Sequence, residues 1–71
     1  MPRTPKEIVD QTNALARLFY LAQGYQVPEG FDFRKSRHPQ ELCMWHLACI
    51  AQEELTATSV EDAEVELECD G

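Results

Sequence analysis

Apolar residues recur at helical spacing in three stretches of the chain, and the segments between them carry turn chemistry, so the pattern predicts helices joined by loops. Thr4-Pro5-Lys6-Glu7 is a capping box with proline in the first helical position; its hydroxyl and carboxylate are suited to amides that a helix start leaves unpaired. From there Ile8, Thr12, Leu15, Phe19 and Ala22 recur on one face, flanked by Val9, Ala16 and Leu18. Lys6, Asp10, Asn13 and Arg17 share the opposite face. Gly24 accepts the left-handed backbone that closes a helix, which sets the first helix at about 5–23.

Residues 24–38 read as a compact loop. Val27-Pro28-Glu29-Gly30 has turn chemistry, and Phe31 and Phe33 alternate with Asp32, a pattern open to a short extended piece or hairpin. The two phenylalanines pin this loop to the core. His38-Pro39-Gln40-Glu41 starts a second helix, expected over about 39–55. Thr58-Ser59-Val60-Glu61 is another capping box and opens a short acidic helix over about 59–67, in which Val60, Ala63 and Leu67 face the core. Residues 68–71 lack an anchor and are expected to be a disordered tail. The fold class is therefore all-α: one domain over residues 1–67, a small antiparallel two-helix hairpin with a short acidic C-terminal helix.

The second helix sets the main physical problem. From Leu42 to Ala51 it is apolar at nine of ten positions, so it is apolar nearly all round. A helix of that kind is buried on several sides, yet the first helix covers only one. Self-association is the expected cover, with Leu42, Leu47, Ile50 and Ala51 at the contact of a homodimer, because closed two-fold dimers are the commonest soluble oligomers. The alternative is a monomer in which Phe31, Phe33 and the C-terminal helix close the core.

Trp45, the single tryptophan, belongs by default to that core; it is also the residue type that anchors protein interfaces. With Met44, Phe31, Phe33, Arg34 and Arg37 it makes up the expected partner-binding set on the second helix and the loop before it.

A chain of 71 residues makes one domain that buries only about 60% of its unfolded surface, so disulfides, metal or oligomerisation have to be considered. Cys43, Cys49 and Cys69 are odd in number and two lie in an apolar helical run, which argues against a disulfide framework. Cys43, His46 and Cys49 form a C-x-x-H-x-x-C pattern, but the outer cysteines fall about 120° apart around a helix and no fourth ligand is near; no metal and no cofactor is expected. No signal sequence opens the chain and no apolar run reaches the length of a membrane span, so the expected location is the cytoplasm, with no membrane partner.

Net charge is -7 and unevenly placed: every base precedes Pro39, while residues 53–70 hold eight acids and no base. Arg34, Lys35 and Arg37 beside Phe31 and Phe33 resemble a minimal nucleic-acid patch, but the whole-chain charge opposes it and no direct nucleic-acid contact is expected. The acidic segment offers a different reading, a DNA mimic blocking a nucleic-acid-binding enzyme, if Glu61, Asp62, Glu64, Glu66 and Glu68 are held in a rigid row. Catalysis would need a nucleophile beside a base and a pocket that excludes water; two helices offer little pocket, and an enzyme is not expected.

Two segments carry a family resemblance: KEIVDQTNALARLFYLAQGYQVPEGFDF, beginning at Lys6, and HPQELCMWHLACIAQEELTATSVEDA, beginning at His38. In overall pattern and in the HPQE…W…AQEELT stretch, they resemble the small early proteins of transposable Pseudomonas phages, within them the anti-quorum-sensing family. The resemblance implies a helical homodimer in the host cytoplasm that binds host proteins. The partners it implies are a LasR-type quorum-sensing activator and, in some members, a pilus assembly protein of the type IV machinery. By residue it carries over Trp45, where the interaction helix would present an aromatic, and more weakly the basic loop.

Overall fold

The computed structural model describes residues 4–69, which form three helices and no strand. The first helix, α1, spans Pro5–Ala22; α2 spans Pro39–Thr56; α3 spans Val60–Cys69; a single 3-10 turn, Phe33–Lys35, lies in the connection between α1 and α2. Among the described residues no helix is long and apolar enough to cross a membrane.

Each helix starts where its side chains can cap it. Thr4 Oγ1 accepts from the Glu7 amide at 3.2 Å, His38 Nδ1 from the Gln40 amide at 3.3 Å, and Ser59 Oγ from the Asp62 amide at 3.3 Å. The third cap is one residue later than the box Thr58-Ser59-Val60-Glu61 predicts. Glu61 and Asp62 then lie in the first turn of α3, where carboxylates suit the helix dipole.

The ends of the helices are less alike. Gly24, at φ +95, takes the positive dihedral that closes α1. Ala57 closes α2 in the left-handed region at φ 55 and ψ 32, which strains any residue with a Cβ. Ala57→Gly is therefore expected to stabilise the protein by about 1 kcal/mol, a rise in Tm of about 4–8 °C for a domain of this size. Thermal melts by circular dichroism check it; an unchanged or lower Tm contradicts the strain.

The buried line of α1 is Val9, Thr12, Ala16 and Tyr20, with Ile8, Leu15 and Phe19 half-buried beside it. The predicted stripe is thus displaced towards its flank, and Leu18 and Ala22 are exposed, because α1 is covered from two directions, by α2 and by α3. Val60 is fully buried and Ala63 nearly so, with Leu67 packed against them. The third helix is thus a full wall of the core. It continues to Cys69, beyond the predicted end at 67, so the expected disordered tail is helical at Glu68 and Cys69; Asp70 and Gly71 lie outside the described residues.

The connection holds neither a hairpin nor an extended piece across Phe33. Asp32 Oδ1 accepts from the Arg34 amide at 3.1 Å and from Asn13 Nδ2 at 3.0 Å, while the Phe33 amide donates to Asn13 Oδ1 at 2.9 Å. Asn13 therefore clamps the 3-10 turn to α1. The clamp drives Phe33 into the core with no exposed surface, edge-on to Tyr20 at 5.6 Å and to Phe31 at 4.9 Å between ring centroids. One buried polar pair crosses from α1 to α2: Gln52 Nε2 donates to Thr12 Oγ1 at 3.4 Å, and Thr12 in turn donates to the Ile8 carbonyl at 2.7 Å.

Candidate functional site

Three surfaces follow from this packing. The first is the outer face of α2. Met44, Trp45, Ala48 and Gln52 form the buried face; Cys43, Leu47 and Ile50 point the opposite way, and Leu47 and Ile50 remain 43% and 57% exposed. Their spacing of four and three continues to Glu54, giving a narrow stripe along one side of the helix. Of the four positions expected at a dimer contact, Leu47 and Ile50 are exposed, and Leu42 and Ala51 are half-buried.

The second surface is a groove of about 470 Å³ between α1 and the 29–31 turn, lined by Ala14, Leu18 and Phe31 with Asp10, Arg17 and Glu29 at its polar edges. Leu18 is 60% exposed here. Arg17 Nε is buried without a hydrogen-bond partner among the described residues.

The third surface is a smaller groove between α2 and α3, where Trp45, His46, Cys49, Glu53, Glu61 and Glu64 meet. A histidine close to a cysteine is the start of a nucleophilic site, but the electrostatics run against it. Burial, then Glu64, Glu53 and Glu61, push the Cys49 thiol up to about 11, so it stays protonated at neutral pH. Alkylation at pH 7.5 followed by peptide mapping is expected to label exposed Cys43 more than about tenfold faster than Cys49; equal rates would contradict that environment. Among the described residues no group of three or more His, Cys, Asp or Glu side chains is placed to hold a metal ion.

Burial also raises the Glu64 carboxyl above the ordinary value of 4.5; Glu68 and Glu61 add to the rise, and Arg34 and the Trp45 indole oppose it. A carboxyl with a raised folded pKa binds its proton more tightly in the native state, so its ionised form costs stability at neutral pH. The cost disappears as pH falls through the folded value towards 4.5. Glu64→Gln is expected to raise the urea midpoint at pH 7 and to remove this contribution to the change in stability as pH falls towards 4.5. A variant no more stable than wild type at pH 7 contradicts this.

The expected partner-binding residues separate. Trp45, Met44 and Phe33 are buried, at 5%, 4% and 0% exposure, because α3 closes over the Trp45 side of α2 and the 3-10 turn fills the space beside Tyr20. Phe31 and Arg34 are half-buried, and Arg37 is exposed. Arg34 Nη1 has no hydrogen-bond partner among the described residues. Phe31 alone of the set lines the α1 groove. Leu18, Asn13 and Gln52 stand outside the expected set. Leu18 flanks the apolar stripe in the sequence, and no signal there marked it as a surface residue.

No family model, curated protein or solved structure matches the chain.

Proposed function

We propose that this chain is a non-catalytic, protein-binding inhibitor that works as a helical homodimer. Each copy would be an antiparallel α1–α2 hairpin closed by α3. The pairs Thr12–Gln52, Gln23–Met44 and Tyr25–Gln40 support the hairpin, since they run from α1 past its end as they move back towards the start of α2. The observation that carries the reading is apolar side chains left uncovered on two separate faces, exposed Leu47 with Ile50 on α2 and exposed Leu18 beside half-buried Phe31 at the α1 groove. Apolar patches of this kind on small soluble proteins mark interaction sites, and two of them suit a dimer that also grips a partner.

On the resemblance, the partner is a host protein in the host cytoplasm, a LasR-type quorum-sensing activator or a pilus assembly protein, which the inhibitor holds out of action. The partner contact is assigned to the α1 groove, because Trp45 and Met44 already serve the core. The test is titration calorimetry of the purified chain against a purified LasR-type activator and a pilus assembly protein, with light scattering for mass. Binding that Leu18→Glu abolishes while the far-ultraviolet spectrum is unchanged supports the reading. Absence of binding to either protein removes the assigned targets, and a monomer at all concentrations removes the dimer.

One observation favours a second reading. The acids Glu61, Asp62, Glu66 and Glu68 are exposed on a helix held to the core by Val60 and Ala63, the kind of rigid frame that a DNA mimic requires. Truncation after Thr58 would remove those core residues and is no test. Neutralising Glu61, Asp62, Glu66 and Glu68 to their amides keeps the fold and isolates charge: inhibition that survives the change eliminates the mimic.

A further inference from the structure

The outer face of α2 combines exposed apolar side chains with charge at its C-terminal end. Its apolar stripe, Cys43, Leu47 and Ile50, ends on Glu54 beside Glu53, in a last turn that holds no base. Carboxylates at a helix C-terminus oppose the dipole and are unfavourable where they stand. At the other end, exposed Lys35 and Arg37 lie just ahead of the N-terminus of α2. Along the chain, basic side chains ahead of α2, the apolar stripe and the acidic last turn follow in order, a polarity complementary to that of a copy turned end over end.

We infer that two copies of this chain pair through α2 in antiparallel, two-fold fashion, with Leu47 against Leu47 of the partner copy, Cys43 against its Ile50, and Arg37 reaching its Glu53 and Glu54. This rests on the homodimer proposed above and adds its register. With a rise of 1.5 Å per residue, a two-fold axis at Leu47 sets Cys43 within about 2 Å of the level of the partner's Ile50. The same axis brings the positive end of one helix beside the uncompensated carboxylates of the other at both ends of the contact. Every contact then occurs twice, as an isologous interface requires. A parallel pair would instead set Glu53 and Glu54 against their own copies, and Arg37 against Arg37. It would also align the two helix dipoles, the arrangement that like charges disfavour. The seam is short, and its apolar centre is flanked by charge on both sides, so the dimer is expected to be sensitive to salt.

The register separates the two arrangements through disulfide chemistry. Antiparallel packing holds the two Cys43 residues about 12 Å apart along the axis, beyond the reach of a disulfide, whereas parallel packing places them opposite each other. Ile50→Cys, oxidised mildly and mapped by mass spectrometry, is expected to give a dimer whose bridges join Cys43 of one copy to the new thiol of the other. Wild type under the same conditions should give no Cys43–Cys43 bridge.

Sedimentation equilibrium of Arg37→Glu and of a Glu53→Lys, Glu54→Lys variant should each show dimer dissociation strengthened by about tenfold at low salt. The variant carrying all three changes should recover most of that loss. A wild-type Cys43–Cys43 bridge, or a charge swap that fails to rescue, overturns this register while leaving a homodimer standing. A wild-type monomer in sedimentation overturns register and homodimer together.

Discussion

Phe33→Ala is expected to leave the protein largely unfolded at 25 °C. The ring is the largest fully buried side chain among the described residues and meets Tyr20 and Phe31 edge-on. Removing a buried phenylalanine costs about 3–5 kcal/mol through lost transfer energy and the cavity left behind. A single core in a domain of this size rarely supplies more than about 3–5 kcal/mol in all, so one substitution consumes most of the margin. The position is also hard to relax, because Asn13 holds the Phe33 amide and Asp32 from α1, which prevents the turn from collapsing into the hole. Circular dichroism and urea titration check it: a cooperative transition near the wild-type midpoint would mean that the turn is peripheral. Phe33→Leu, which keeps most of the volume, should retain a folded protein with a lower midpoint.

The second large effect is expected at Trp45. As a side chain 5% exposed between α2 and α3, it should cost about 3–5 kcal/mol when cut to alanine, with loss of helical signal and of every binding activity together. An interface residue would behave differently: its truncation would weaken the complex by more than about 2 kcal/mol while the free protein stayed folded. Measuring stability before affinity therefore decides the role of Trp45. A stable, helical Trp45→Ala variant that no longer binds its partner would return the indole to the interaction surface. Trp45→Phe is the useful companion, since it keeps an aromatic ring in the core and removes the indole N–H that faces Glu64, together with the volume of one ring.

Helix positions were largely legible from local chemistry. Proline at the first position of α1 and α2, the Thr4 cap, and the capping sequence before α3 act within one turn of chain, and such short-range preferences need no tertiary context. The 3-10 turn at Phe33 was not legible in the same way. Alternation of Phe31, Asp32 and Phe33 is a strand pattern, and what overrides it is Asn13, a residue twenty positions earlier in α1 whose side chain completes the turn. An asparagine on the polar face of a helix gives no local sign of that role.

The candidate site was legible in kind and not in detail. That α2 carries more apolar side chains than one neighbour can bury follows from its composition alone. Which of them stay uncovered depends on where α3 lies, because the side that α3 and the 3-10 turn cover includes Met44, Trp45 and Ala48, and the side left open carries Cys43, Leu47 and Ile50. Leu18 became a surface residue for the same reason: two helices meeting α1 displace its buried line to Val9, Thr12, Ala16 and Tyr20.

By itself, then, the amino-acid sequence determined the helical class, the helix starts, the separation of basic and acidic ends, and an excess of apolar surface on α2, all of which depend on neighbours within a few residues or on composition. Tertiary structure alone decided which apolar residues form the core and which remain outside, that Thr12 and Gln52 satisfy each other in the interior, and that Cys49 sits among carboxylates that keep its thiol protonated. Those outcomes depend on groups brought together from distant parts of the chain, and burial and charge at a point in space are properties of the packed fold that spacing along one helix cannot specify.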